Sequence, residues 1–147
     1  MPNTAERSVF IMVKIITGKK GTGKTKILID MINEASKNTD GYVVCIDKGT
    51  KLRYDIAPTV RIIDTEHCNV YSFEAFYGLV TGMLEGNYDI KQVFVDSILK
   101  VGGADFEALG AMLAKIDKFT GNETEVVFTV SADKADLPES VAKYAVK

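Results

Sequence analysis

Short apolar runs alternate with longer stretches of helical hydrophobic spacing along the 147-residue chain. The apolar runs, rich in β-branched residues, predict strands at Val9–Thr17, Tyr42–Ile46, Val60–Ile63, Val93–Val95 and Glu125–Val130. Helical spacing predicts helices at Lys24–Lys37, from Ser72 to about Glu85, from Asp105 to about Phe119, and from Asp136 and Pro138 to about Tyr144. Alternating strands and helices predict a three-layer α/β/α fold with a mainly parallel sheet of about five strands.

Polar residues and glycines set the expected element boundaries. Ser72 and Asp105 are expected as helix N-caps, and Gly86 and Gly121 as C-terminal caps. Residues 47–59 are predicted to form a long functional or flexible loop, and residues 1–8 a loosely ordered tail. No repeat interrupts the pattern, so residues 1–147 are interpreted as a single domain.

Composition narrows the function classes. A net charge of −2 and a pI near 5.4 do not favour nucleic acid as a partner, because nucleic-acid-binding domains usually carry a basic face. No apolar stretch reaches the roughly 20 residues of a membrane span, and the polar start does not resemble a secretory signal. We therefore expect a cytoplasmic protein in which Cys45 and Cys68 are reduced thiols.

One glycine-rich segment between a predicted strand and a predicted helix has the composition of a phosphate-binding loop. It reads Gly18, Lys19, Lys20, Gly21, Thr22, Gly23, Lys24, Thr25. Glycines allow a tight turn whose N–H groups point inward, and the positive end of the following helix adds to this anion site. Lys24 is expected to reach the β- and γ-phosphates, and Thr25 to offer its hydroxyl to Mg²⁺. The nearby basic residues, including Lys26, fit the same anionic ligand.

This segment resembles the Walker A motif of the P-loop NTPase superfamily, and the order of elements is similar over most of the chain. The resemblance implies that ATP and Mg²⁺ are bound. Lys19 is similar to the signature lysine of the ParA/MinD group, which reaches the nucleotide of a neighbouring subunit and would imply an ATP-dependent dimer. A solvated lysine near phosphate is the alternative, and Lys20 departs from the glycine usual at its position in that group.

A second motif lies further along, where the strand Gln92-Val93-Phe94-Val95 ends in Asp96. It resembles a Walker B motif, whose aspartate holds Mg²⁺ through water opposite the loop hydroxyl. In many RecA-like ATPases a glutamate follows this aspartate and aligns the attacking water. Ser97 occupies that position here, so the sequence predicts slow hydrolysis.

The strand that ends at Val130 is followed by Ser131. In RecA-like ATPases a strand beside the acidic one ends in a sensor of the γ-phosphate, which makes Ser131 the candidate, with Thr129 as a second. The next residues, Asp133-Lys134-Ala135-Asp136, are similar to the guanine-reading Asn-Lys-x-Asp motif of GTPases, but asparagine is replaced by Asp133. The alternative is that Asp136 starts the last helix, with Glu139 at capping-box spacing.

The leading hypothesis is a small RecA-like ATP-binding protein with slow or partner-stimulated hydrolysis, in which Lys24, Asp96 and Ser131 act on the nucleotide. It is similar to short bacterial proteins loosely described as twitching-motility ATPases. The alternatives are a non-catalytic nucleotide-gated binding module, a small-molecule kinase and a GTPase. A protein partner and a homo-oligomer are both compatible with this sequence, and an arginine finger from Arg53 is one further hypothesis.

Overall fold

The five strands found in residues 11–147, the part of the chain described by this computed structural model, form one all-parallel sheet. They are β1 Val13–Thr17, β2 Tyr42–Asp47, β3 Arg61–Asp64, β4 Ile90–Val95 and β5 Glu125–Val130. Their order across the sheet is β1-β5-β4-β2-β3. The predicted parallel α/β fold of about five strands is therefore confirmed.

Helices connect these strands on both faces of the sheet. They are α1 Lys24–Asn38, α2 Phe73–Gly86, α3 Ile98–Gly102, α4 Phe106–Thr120 and α5 Glu139–Ala142, with 3₁₀ turns at Lys51–Tyr54 and Lys134–Asp136. One core packs α2, α3, α4 and α5 on one face, and a second core packs α1 and the segment after β2 on the other. The three-layer arrangement follows from this division.

The expected caps are confirmed at three of four positions. The Ser72 hydroxyl accepts from the Ala75 N–H at 3.0 Å, and Asp105 accepts from the Ala108 N–H at 3.1 Å. Gly121 ends α4 with a φ of 54°, a conformation that favours glycine. Gly86 is not a cap, because α2 runs through it and the extended residue Asn87 ends the helix.

Local details differ from the sequence-based expectations at three places. The segment predicted as a long functional or flexible loop over residues 47–59 does connect β2 to β3, but Asp47 belongs to β2 and a 3₁₀ turn lies within the segment at Lys51–Tyr54. The short helix α3 was not predicted, since five residues are too few to display helical spacing. Asp136 does not cap the last helix, which begins after Pro138.

Strand boundaries move by a few residues. Within the described part, β1 begins at Val13; the predicted strand start at Val9 and the predicted loose tail over residues 1–8 both lie outside the described residues. β4 is longer than predicted and begins at Ile90, because its first residues pair with β2 although Lys91 and Gln92 are polar. β3 is displaced by one residue, from the predicted Val60 start to Arg61.

The β1 edge of the sheet is covered by the end of the chain. The Ile15 N–H donates to the Tyr144 carbonyl at 2.9 Å, and the Val146 N–H donates back to the Ile15 carbonyl at 3.0 Å. The Thr17 N–H donates to the Lys147 carbonyl at 2.9 Å. Because residues 144–147 satisfy this edge, β1 has main-chain partners on both sides, which fixes the position of the loop that follows it.

All five strands end at the same edge, because the sheet is parallel. The segments that leave this edge are the glycine loop after β1, the turn after β2, the stretch that begins with Asp96 after β4, and Ser131 after β5. Ligands of open α/β sheets bind outside such carboxyl ends. The fold therefore brings together segments that are far apart in the sequence.

Candidate functional site

The glycine loop between β1 and α1 has the backbone shape of an anion-binding turn. Gly18, Gly21 and Gly23 have φ values of 148°, 85° and 88°, all in the range that favours glycine. A Cβ on Gly18 would lie 2.5 Å from the Thr22 hydroxyl, so the turn is too tight for a side chain there. Gly23 stands at the N-cap of α1 without a capping side chain, which leaves the first N–H groups of a 15-residue helix free for a ligand.

Lys24 spans the inside of this loop. Its Nζ donates to the Lys19 carbonyl at 2.9 Å, and the Thr22 hydroxyl donates to the same carbonyl at 2.7 Å. The side chain is 7% exposed, and burial lowers the pKa of its ammonium group, while the negative charge of Asp96 opposes that shift. A buried cation with one main-chain partner would gain from a phosphate placed in the loop.

Thr25 and Asp96 face each other between α1 and the end of β4. The Thr25 hydroxyl lies 3.3 Å from both carboxylate oxygens of Asp96. Hydroxyl–carboxylate bonds are usually 2.5–2.7 Å, so this contact is loose and evenly shared. A hydroxyl oxygen and a carboxylate oxygen at this separation are hard ligands of the type that Mg²⁺ prefers, and the residues therefore fit the ion that the motifs imply.

Thr129 of β5 holds the carboxylate in place from the other side. Its hydroxyl donates to Asp96 Oδ1 at 2.7 Å and accepts from the Ser97 N–H at 2.7 Å. Ser97 has φ 59° and ψ 55°, a left-handed conformation that a non-glycine residue adopts at a cost of about 1–2 kcal/mol. The two hydrogen bonds explain how this turn persists directly after Asp96.

We expect Thr129→Val to lower the free energy of unfolding by about 2–3 kcal/mol, because it leaves the Ser97 N–H without its partner and Asp96 Oδ1 with only the loose contact to Thr25. Affinity for a Mg²⁺-dependent ligand should fall with it. Thr120→Val is the control, since the Thr120 hydroxyl bonds a carbonyl of its own helix at 2.9 Å and is equally buried. Urea denaturation of both variants checks this prediction, and equal losses would contradict it.

Asp47 is a carboxylate that sequence reasoning did not identify as part of the site. It ends β2 beside β4, and the Asp96 N–H donates to the neighbouring Ile46 carbonyl at 3.0 Å. The side chain is 2% exposed, and Oδ1 accepts from the Lys48 N–H at 2.8 Å. Oδ2 is buried and has no hydrogen-bond partner among the described residues.

The surroundings of Asp47 favour its protonated form. Burial, followed by the negative charge of Asp96, raises the pKa of Asp47 to about 6, although the Lys48 N–H and the charges of Lys51 and Lys100 oppose the shift. An unpartnered carboxylate with a strongly raised pKa, next to a second carboxylate, is typical of a functional site. The signal was present in the sequence, since Val-Val-Cys-Ile-Asp47 has the same form as Val-Phe-Val-Asp96.

These elements surround one cleft of about 410 Å³ at the carboxyl edge of the sheet. Of the predicted site residues, Lys24, Thr25 and Ser131 line it, with Lys20, Gly21 and Gly23 from the loop. Lys51, Ser97, Leu99, Lys100 and Thr129 line it as well and were not predicted as a group. The remaining predicted residues, Gly18, Lys19, Thr22, Lys26 and Asp96, do not line the cleft. The Lys19 carbonyl nevertheless holds the Lys24 ammonium, and the buried Asp96 carboxylate contacts Thr25 and Thr129, which do line it.

The segment that resembles a guanine-reading motif lies outside this cleft. Asp133 accepts from the Ala135 N–H at 3.3 Å and caps the 3₁₀ turn Lys134–Asp136. Asp133 and Asp136 are both exposed, and neither lines the cleft. Capping of the 3₁₀ turn accounts for Asp133. Its similarity to the asparagine of that motif is not matched by a position in the cleft.

Neither cysteine takes part in the site. Both are free thiols, Cys45 buried and Cys68 exposed, as the sequence predicted. Burial, with the charges of Asp47 and Asp96, raises the pKa of Cys45 to about 12, so this thiol is inert.

In comparisons with known proteins, no family model matches the chain and no curated protein matches it significantly. Among the helices of residues 11–147, none has both the length and the apolar character needed to cross a membrane. The function must therefore be argued from the cleft itself.

Proposed function

We propose that this protein binds ATP with Mg²⁺ through the loop 18–25 and hydrolyses it slowly, or faster when a partner stimulates it. The observation that carries the proposal is a cleft lined by Gly21, Gly23, the buried Lys24 and Thr25, whose hydroxyl contacts the buried Asp96 carboxylate. Membership of the P-loop NTPase superfamily is part of this proposal. A protein that uses ATP needs a compartment that supplies it, and the cytoplasm does so.

The loop supports phosphate binding by several independent means. The first N–H groups of α1 and the turn at Gly21 and Gly23 offer main-chain donors, and Lys24 offers a charge within the same turn. Thr25 and Asp96 would hold Mg²⁺, which when bound neutralises charge on the phosphate oxygens. The chain's own contribution is then mainly positioning and charge stabilisation.

Asp47 supports a hydrolytic role despite the serine after Asp96. A carboxylate with a pKa of about 6 is close to the value that suits a general base near neutral pH. Its Oδ2 has no hydrogen-bond partner among the described residues. The residue ends β2, the strand that pairs with the strand before Asp96. We assign Asp47, which lies on the strand next to Asp96 but does not itself line the cleft, the task of orienting the attacking water and accepting its proton, the task that Ser97 cannot perform.

The position of β5 supports the RecA-like branch over the GTPases. This strand lies beside the acidic strand β4, as the resemblance to RecA-like ATPases implies, and Ser131 at its end lines the cleft. Ser131 is therefore retained as the proposed sensor of the γ-phosphate. ATP is the proposed nucleotide because the resemblance to the guanine-reading motif is incomplete and Asp133 caps the 3₁₀ turn Lys134–Asp136.

A non-catalytic binding module is the second candidate. The observation in its favour is Ser97, which replaces the expected glutamate and is held by Thr129 in a left-handed conformation. In such a module the nucleotide would switch the conformation of the cleft without being consumed. Asp47 would then serve only to set the charge of the cleft.

Phosphate release from ATP and from GTP, each with and without Mg²⁺, tests these alternatives on the full chain. Slow release from ATP with Mg²⁺ alone supports the proposed ATPase. Binding of ATP without release supports the switch module, and release only with an added acceptor indicates a kinase. Preferential release from GTP would overturn the assignment to ATP.

A further inference from the structure

Two lysines from separate segments outside the glycine loop line the cleft. Lys51 begins the 3₁₀ turn after β2, and Lys100 lies on α3 after β4. Because β2 and β4 are neighbours in the sheet, their following segments leave it side by side. Both side chains are exposed, and neither forms an ion pair with a carboxylate of residues 11–147.

The fold fixes both backbone positions. The turn that carries Lys51 is anchored by Leu52, 3% exposed, in the second core, and by the Gly49 N–H, which donates to Asp64 at 2.8 Å. The helix that carries Lys100 is anchored by Ile98 and Val101, both buried in the first core. Each lysine therefore projects from a packed segment rather than from an irregular loop.

The charges around the cleft favour a polyanion. Lys20 and Lys24 come from the glycine loop, and Lys51 and Lys100 come from the segments after β2 and β4. Both of the latter also act electrostatically on the buried Asp47 carboxylate. Four lysines line the cleft and neither Asp47 nor Asp96 does, so the cleft has an excess of positive charge for a ligand such as a triphosphate.

We propose that Lys51 and Lys100 both bind the γ-phosphate of the nucleotide, and that the protein therefore distinguishes ATP from ADP. This inference rests on the proposed function. In other nucleotide-hydrolysing proteins an arginine finger supplies a cationic contact to the γ-phosphate. The two lysines would supply that contact from within one chain. Arg53, the arginine proposed from sequence, is exposed on the same turn but does not line the cleft.

The test compares Lys51→Gln, Lys100→Gln and the double variant with Lys48→Gln. Lys48 is the matched control, because it is an exposed lysine of the same segment that pairs with Glu66 at 3.9 Å and does not line the cleft. Calorimetric titration with Mg²⁺-ATP and Mg²⁺-ADP measures both affinities, and thermal melting verifies that each variant folds. Lys51→Arg and Lys100→Arg retain the charge and should preserve the preference for ATP.

Each single glutamine variant should weaken ATP about tenfold and leave ADP within about twofold, since one charge-assisted contact to the γ-phosphate is lost. The double variant should bind ATP and ADP alike, and Lys48→Gln should behave as the original protein. If the affinities for ATP and ADP fall equally, or if neither changes, the proposed contact of the two lysines with the γ-phosphate is wrong, whereas the ATP site itself is unaffected. If the original protein binds neither nucleotide, both the proposed function and the proposed role of the two lysines are wrong.

Discussion

Lys24→Ala should lower the affinity for Mg²⁺-ATP by roughly a hundredfold or more while the fold stays intact. The ammonium group lies inside the glycine loop, where it has the Lys19 carbonyl as its partner and burial lowers its pKa. Removing it takes away a charged contact to the phosphates that no neighbouring group replaces from the same position. Titration calorimetry measures the loss directly.

Two further variants separate this effect from a loss of structure. Lys24→Met keeps the buried aliphatic stem but not the charge, so it should lose ATP affinity as Lys24→Ala does. Lys37→Ala removes an exposed lysine from the last turn of the same helix and should bind ATP normally. Normal ATP binding by Lys24→Met would mean that the loop does not hold phosphate.

Asp47→Asn should slow phosphate release by roughly a hundredfold or more and at the same time stabilise the protein. The loss of turnover follows from the removal of the proposed base. The gain in stability follows from the removal of a buried charge whose Oδ2 has no partner among the described residues. A substitution that stabilises the fold and stops the reaction is the expected mark of a strained functional group.

The pH dependence of this gain follows from the direction of the pKa shift. Folding raises the pKa of Asp47 from 3.8 to about 6, so the native protein binds a proton more tightly than the unfolded chain. The contribution of Asp47 to stability is thus fully present below pH 4 and is lost as the pH rises through 6. Asp47→Asn should gain up to about 3 kcal/mol above pH 7 and nothing near pH 4, as chemical denaturation at both values would reveal.

Asp64 is the control for this prediction, because it stands in register with Asp47 at the end of β3. Its Oδ1 accepts from the Gly49 and Glu66 N–H groups at 2.8 and 2.9 Å, and these bonds, led by that of Gly49, hold its pKa below the usual value. Asp64 therefore stabilises the fold above its unfolded pKa and loses that effect as the pH falls. Asp64→Asn should destabilise the protein at neutral pH, the reverse of the effect of Asp47→Asn on stability.

The sequence predicted the parts of this structure that depend on local chemistry. Hydrophobic spacing located the five strands and the long helices, and short polar side chains marked two of their N-termini at Ser72 and Asp105. The phosphate-binding loop could be predicted because its three glycines lie between a predicted strand and a predicted helix, at the spacing of a phosphate-binding motif. These features follow from rules that act over a few neighbouring residues.

What the sequence did not predict depends on neighbours across the sheet. Asp47 was interpreted as the first residue of a loop, because Gly49, Pro58 and mixed charges follow it, and its position beside Asp96 became visible only when β2 was found beside β4. The partnership of Thr129 with Asp96 and Ser97 likewise joins β5 to β4. Strand order is not encoded in hydrophobic periodicity, so such contacts are visible only in three dimensions.

The most direct test of the central claim is a calorimetric titration of the full chain with ATP in the presence and absence of Mg²⁺, run beside Lys24→Ala. We predict saturable binding of one ATP per chain that requires Mg²⁺ and disappears in the variant. Absence of ATP binding by the original protein, or equal binding by Lys24→Ala, would contradict the assignment of loop 18–25 as the phosphate site.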